Sequence, residues 1–237
     1  MANRDEFYER PTSKADFWDD HPDLLAGRDL EANGTWMGVT RQGRISMLTN
    51  YRDLANIKPN APSRGHLVSD FLTAPFKPKN YLETLEQAGR KYNSYNIVLG
   101  TIDDLWYYSN EGERIYQLGS GVYGLSNHLL NTEWPKVTKG KEKLEHLLSS
   151  DDFGPSNLFD AMFDDNIAPD NQLPDTGVGL ERERWLSSMF IKSPKYGTRC
   201  SSAIMVDNDN NLQFVERTYD LNTFDFTEVN KKFKISK

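Results

Sequence analysis

Strand-like and helix-like patterns fall in blocks along this chain, and that grouping limits its fold more than any single residue does. Residues Trp36–Thr40 and Arg44–Asn50 read as a strand pair turning at Arg41-Gln42-Gly43, with Ile45, Met47 and Leu48 supplying an apolar face. Two helical patterns follow. Arg64–Leu72 puts Leu67, Val68, Phe71 and Leu72 on one stripe, and Asn80–Gly89 opens with Asn80 three residues before Glu83 and ends at a glycine. Tyr95–Thr101, Leu105–Ser109 and Arg114–Leu118 are short aromatic or β-branched runs, with Asn110-Glu111-Gly112 as a hairpin loop. Helical patterns return at Lys139–Leu148, Asn157–Phe163 and Leu180–Phe190. The chain closes with strands at Ser201–Val206, Leu212–Thr218 and Phe224–Val229, the first two joined by the turn Asp207-Asn208-Asp209-Asn210. Strands in runs with helices grouped between them predict an α+β fold with mainly antiparallel sheets, since alternating βαβ units are missing. The first 35 residues, broken at Arg10-Pro11-Thr12, Asp20-His21-Pro22 and Asn33-Gly34, predict turns.

At 237 residues the chain can bury a core without disulfides or a structural metal. Its single cysteine, Cys200, forms no intrachain disulfide and fits a reducing compartment. Twenty-eight basic against 35 acidic residues leave a net charge of −7, which argues against a nucleic-acid partner. The basic run Lys231-Lys232-Phe233-Lys234 reads as a solvated tail. The first 20 residues lack the apolar core of a signal peptide, and no stretch reaches the roughly 18 apolar residues of a transmembrane segment. A cytoplasmic location is expected.

Local motifs support little chemistry. Gly119-Ser120-Gly121-Val122-Tyr123-Gly124 fits the dinucleotide-binding spacing, but the residues after it do not open a helix, so a glycine-rich turn is the expectation. His21, His66, His128 and His146 lie far apart and predict no metal site; His128 stands out only for its polar neighbourhood. Asn3-Arg4-Asp5-Glu6 reads by itself as a frayed terminus. Arg199 beside Cys200 invites a reactive thiolate, yet adjacent strand residues point to opposite faces, and a buried filler is expected. Asn50, Arg52 and Asn127 sit at apparent strand ends, where polar residues build either sites or turns.

Taken in order, eleven segments resemble one family. Ala2-Asn3-Arg4-Asp5-Glu6-Phe7-Tyr8 contains the tetrapeptide that names the NRDE family, also called the transport and Golgi organisation type 2 family. Arg10-Pro11, Ala15-Asp16-Phe17-Trp18, Ala26-Gly27-Arg28-Asp29, Gly34-Thr35-Trp36-Met37-Gly38 and Leu48-Thr49-Asn50-Tyr51-Arg52 follow at the family's places. So do Ser63-Arg64-Gly65 with Tyr95-Asn96, Tyr123-Gly124-Leu125-Ser126-Asn127, Thr132-Glu133-Trp134-Pro135-Lys136 and Tyr196-Gly197-Thr198-Arg199. The resemblance spans essentially the whole chain, so residues 1–237 are expected to form a single domain.

The family is similar to N-terminal-nucleophile hydrolases. The resemblance therefore implies an αββα four-layer sandwich, here expected to miss its first strand. In the cysteine branch of those enzymes, an exposed N-terminal cysteine attacks an amide with its own α-amine assisting. Arg4 and Asp5 resemble the pair that orients the thiol, Asn50 and Asn127 resemble two oxyanion asparagines, and Arg199 resembles a further guanidinium. Asn3, Glu6, Trp36, Arg52, Arg64 and Trp134, all within matched segments, are the ligand-binding candidates. Family members begin with Met-Cys and an apolar strand, whereas Met1-Ala2 here lies inside the named segment and exposes no sulfur. The expectation is that Met1 stands for an internal methionine and that the reading frame opens upstream.

The function the resemblance implies is an intracellular carrier for an amphipathic small ligand, haem first, bound noncovalently because no Cys-x-x-Cys-His attachment motif is present. His, Tyr, Met and Cys all remain open as axial ligands. The alternatives are an amidohydrolase or acyltransferase, if an upstream cysteine exists, and a protein-interaction factor in secretion and Golgi organisation. The family is linked to haem trafficking and acyl-coenzyme A metabolism. The sequence names no protein partner and predicts no metal site.

Overall fold

A computed structural model describes residues 1–88, 91–112, 114–150 and 153–236. It is α+β, with two antiparallel sheets and five α-helices among those residues. The chain divides into two compact units, one made of Met1–Arg10, Val122–Leu125 and Leu130–Lys232, the other of Pro11–Gly121, Ser126–Leu129 and the residues from Phe233 on.

The second unit holds a seven-stranded meander. Its strands are β2 (Thr12–Trp18), β3 (His21–Asp29), β4 (Met37–Thr40), β5 (Arg44–Asn50), β6 (Tyr95–Thr101), β7 (Asp104–Ser109) and β8 (Ile115–Leu118), hydrogen-bonded in chain order. Helices α1 (Gly65–Thr73) and α2 (Pro78–Ala88) pack on it. The α1 stripe of Leu67, Val68, Phe71 and Leu72 meets Tyr81, Leu82 and Leu85 of α2 and the alternate β6 residues Tyr95, Ile97 and Leu99. Helical and strand periodicities thus converge on one core, each fully buried large side chain contributing about 2 kcal/mol. The α1 entrance depends on close backbone contact. Thr35 N–H donates to Gly65 O at 3.3 Å, and a Cβ on Gly34 would lie 2.6 Å from the Gly65 carbonyl carbon. Two of the family-like segments are thereby brought together.

The first unit holds the four-stranded sheet β1-β9-β10-β11, built from Ala2–Phe7, Tyr196–Val206, Asn211–Tyr219 and Phe226–Lys234. Its helices are α3 (Pro135–Leu148), α4 (Pro155–Met162) and α5 (Leu180–Leu186). Leu158 and Phe159 of α4 bury against Ala203 and Val215 of the sheet. Asp164, just past α4, is 6% exposed and receives Lys139 and Lys143 of α3, both at 2.6 Å.

Several expectations need correction. The first 35 residues form three strands rather than turns: β2 and β3 pair with each other, Asp16 opposite Ala26, and β1 pairs with the distant β9, Asn3 opposite Ser201, through backbone contacts that local composition does not mark. The Asn3-Arg4-Asp5-Glu6 segment is consequently a paired strand, not a frayed end. The basic run at 231–234 lies in β11, where Phe233 stands 5.8 Å from the Phe17 ring, and Ile235 beyond it is buried. Asn80 does not cap α2, which begins at Pro78; the expected terminal glycine, Gly89, lies outside the described residues. Helix α5 stops at Leu186 instead of running to Phe190.

Candidate functional site

The strand pairing of β1 with β9 decides which named residues share a face. Arg4 faces Cys200 and Asp5 faces Thr198, so Arg199 is the extra residue of a β-bulge. The bulge restores the face on which Asn3 and Asp5 lie: Ser201 Oγ donates to Asn3 Oδ1 at 2.5 Å and Thr198 Oγ1 donates to Asp5 Oδ1 at 2.6 Å. Asn3 also donates to the carbonyls of Met162 and Met189, tying β1 to the end of α4 and to the segment that follows α5. Arg199 is turned to the carbonyls of Phe7 and Arg10. On the other face, Glu6 stands between two guanidinium groups, 4.0 Å from Arg4 and 3.8 Å from Arg10.

Cys200 is 4% exposed. Burial, then the Glu216 carboxylate, pushes its thiol well above the usual range, so it stays protonated at neutral pH. This is the chemistry of a buried filler. Glu216, 1% exposed, accepts a hydrogen bond from Ser202 at 3.2 Å.

A second polar group lies at the end of β5 in the other unit. Arg52 N–H donates to Asn127 O at 2.7 Å, and the Asn127 side-chain amide donates to Asn50 O at 3.0 Å, zipping the segment 126–129 onto the strand end. Thr49 Oγ1 donates to Ser126 O at 2.7 Å. Fully buried Asn96 on β6 donates to His128 O and to Thr49 Oγ1, while its own Oδ1 accepts from Tyr107. Asn50, Arg52 and Asn127 are therefore brought together on a rim whose backbone is fixed from below. Arg64, just before α1, donates to Ser94 O at 2.9 Å, and Tyr51 N–H donates to that same carbonyl at 3.0 Å.

The rim also holds a pair that the sequence pattern did not assemble. The Tyr51 hydroxyl and His128 Nε2 share a hydrogen bond at 2.9 Å, with ring centroids 4.8 Å apart. Burial raises the phenol's pKa, helped by Glu111 and Asp53, and burial lowers that of the imidazole. Both groups are neutral at pH 7. The clue available was the family-like Asn50-Tyr51-Arg52 and Ser126-Asn127 segments flanking them, not the spacing of histidines.

The two tryptophans take different places. The Trp36 indole lies over Gly27, where an added Cβ would come within 2.4 Å of the ring, so Gly27 supplies its seat. Trp134 immediately precedes α3 and its carbonyl accepts from Val137 and Thr138. The Gly119–Gly124 stretch lies between β8 and α3 in a segment without helix, as a glycine-rich turn requires. Among the described residues, no group of His, Cys, Asp or Glu is arranged to hold a metal ion, and no helix is long and apolar enough to cross a membrane. A cavity of about 500 Å³ lies along α3 and α4, lined by Glu142, His146, Asn157 and Asp160 among others, and none of the sequence-predicted site residues lines it.

Similarity in sequence to known proteins extends along nearly the whole chain. The family model for Transport and Golgi organisation 2 matches residues 1–221. The Transport and Golgi organization 2 homolog of Mus musculus is 34% identical over 95% of this chain and 91% of its own. The Bos taurus homolog is 37% identical over 92% of this chain and 84% of its own. The Drosophila melanogaster protein of that name is 27% identical over 92% of this chain. The chain belongs to the Transport and Golgi organisation 2 family.

Proposed function

We propose that this protein is a cytoplasmic carrier in intracellular trafficking that binds a small amphipathic ligand, with haem as the cargo. The names of its relatives support a role in transport or Golgi organisation. The observation that carries the ligand reading is the rim of Asn50, Arg52, Asn127 and the Tyr51–His128 pair: donors and acceptors held by backbone contacts before any ligand arrives. The loop leaving this rim exposes Leu54 and Ile57, an apolar complement to the polar head contacts. Among the axial donors that the chemistry of haem allows, His128 fits best, because burial keeps its imidazole neutral and Cys200 stays a protonated, buried thiol. The proposed arrangement of the sheets is the αββα sandwich of the N-terminal-nucleophile hydrolases, on the strength of the family resemblance.

The reading is tested by optical titration of the protein with micromolar haem. A saturable Soret shift that His128→Ala weakens at least tenfold is the expected result. Absence of any shift would overturn haem as cargo, and a shift untouched by His128→Ala would overturn the assigned ligand.

A further inference from the structure

An aromatic cage surrounds one ammonium group in the unit that contains the four-stranded sheet. The Lys192 Nζ lies 5.0 Å from the Phe163 ring centre, 5.6 Å from Phe190 and 4.9 Å from Phe224. All three distances fall within the ~6 Å reach of a cation–π contact. Asp165 closes a fourth side with its carboxylate 2.8 Å from the ammonium. The rings brace one another: Phe163 and Phe190 are 4.3 Å apart between centres, Phe190 and Phe224 5.8 Å, and Tyr219 backs Phe190 edge-on at 4.8 Å.

Three features exceed what packing alone asks of these residues. Phe224 adopts a φ of 61°, a left-handed conformation that is strained for a bulky residue, and the turn that holds it there closes through Phe224 N–H to Asp220 O and Asp220 N–H to Asp225 O. Phe163 leaves 42% of its surface in water although its neighbour Phe190 is fully buried, so the cage has an open mouth. Lys192 is itself 32% exposed and Asp165 55% exposed, so the ammonium can leave without crossing the core. A lysine ammonium is strongly hydrated and gains little from aromatic faces compared with an alkylated ammonium, which sheds its water readily.

We propose that Phe163, Phe190, Phe224 and Asp165 form a binding site for a small quaternary ammonium compound of the choline type, with Lys192 as the built-in occupant that such a ligand displaces. Binding forms no covalent bond; one cation replaces another against the same three rings and one carboxylate. The site is independent of the rim on β5.

Isothermal titration calorimetry with choline and with its uncharged isostere 3,3-dimethylbutan-1-ol tests this on the full chain. The native protein should bind choline, Lys192→Ala should bind it about tenfold more tightly because the competitor is gone, and neither should bind the neutral alcohol measurably. Adding Phe163→Leu to Lys192→Ala, a change at a half-exposed ring that spares the buried core, should reverse the gain. Circular dichroism confirms that each variant is folded; if Lys192→Ala is not, Lys192→Met takes its place. Choline binding by the Lys192 variant alone would show a seat made for the protein's own lysine and overturn the proposal. Equal binding of the neutral alcohol, or no binding by any variant, would overturn it as well.

Discussion

At the scale of single residues, His128 couples the proposed site to pH. Burial lowers its imidazole pKa in the folded state below the ordinary value of about 6.5, so the unfolded chain binds the extra proton first. The stabilisation from the neutral, Tyr51-bonded ring is complete above about pH 6.5 and is lost as pH falls from there through the lower folded value. Denaturant unfolding between pH 5 and 8 should show the native protein losing stability toward the acid side, and His128→Asn should flatten that loss. An unchanged slope in the variant would assign the pH dependence to other groups. His128 also marks a limit of reading residues singly. Its local polarity and the spacing of histidines give no hint of Tyr51, 77 positions away, because the contact exists only once segment 126–129 is zipped to β5.

At the scale of elements, Asp164 holds α3 to the end of α4. Burial opposes its charge, but the hydrogen bonds from Lys139, Lys143 and Asn166 more than offset that and hold the carboxyl well below the usual range. A depressed carboxyl contributes stability that is present above its unfolded pKa of about 3.9 and lost as pH falls toward the folded one. Asp164→Asn should cost about 2 kcal/mol at pH 7 in chemical denaturation, and the cost should shrink as the pH drops below 4. A loss that stays constant into acid would mean packing, not charge, carries the contact. Elements with strong local periodicity were legible before the fold was known. β5 falls where its apolar face places it and β6 where its aromatic and β-branched run does, and α1 differs by a residue at each end. β1 and β2 were not legible, since each is a polar strand at the edge of its sheet whose backbone pairing leaves no periodic trace in composition, whereas β11, read over Phe224–Val229, begins two residues later and runs on to Lys234. Helix α5 was overextended because Met189 and Phe190 continue an apolar pattern that serves instead to bury Phe190 against Tyr219.

At the scale of the whole molecule, the strand-end reading groups Asn50, Arg52 and Asn127 as site or turn residues, the resemblance adds the roles expected of them, and hydrogen bonds between the segments 50–52 and 126–129 bring them together. The bulge at Arg199 and the caged Lys192 lay beyond it, because both depend on register and on ring placement. We propose that residues 1–237 fold as a single domain, for which differential scanning calorimetry should give one transition with equal calorimetric and van't Hoff enthalpies; two resolved transitions would separate the units energetically. The most direct test of the proposed carrier is backbone NMR of the labelled protein as zinc protoporphyrin, a diamagnetic stand-in for haem, is added. Amide shifts concentrated at residues 49–52 and 126–129 are the predicted result. Shifts that saturate elsewhere, with these amides unmoved, would contradict the assignment of the β5 rim as the ligand site.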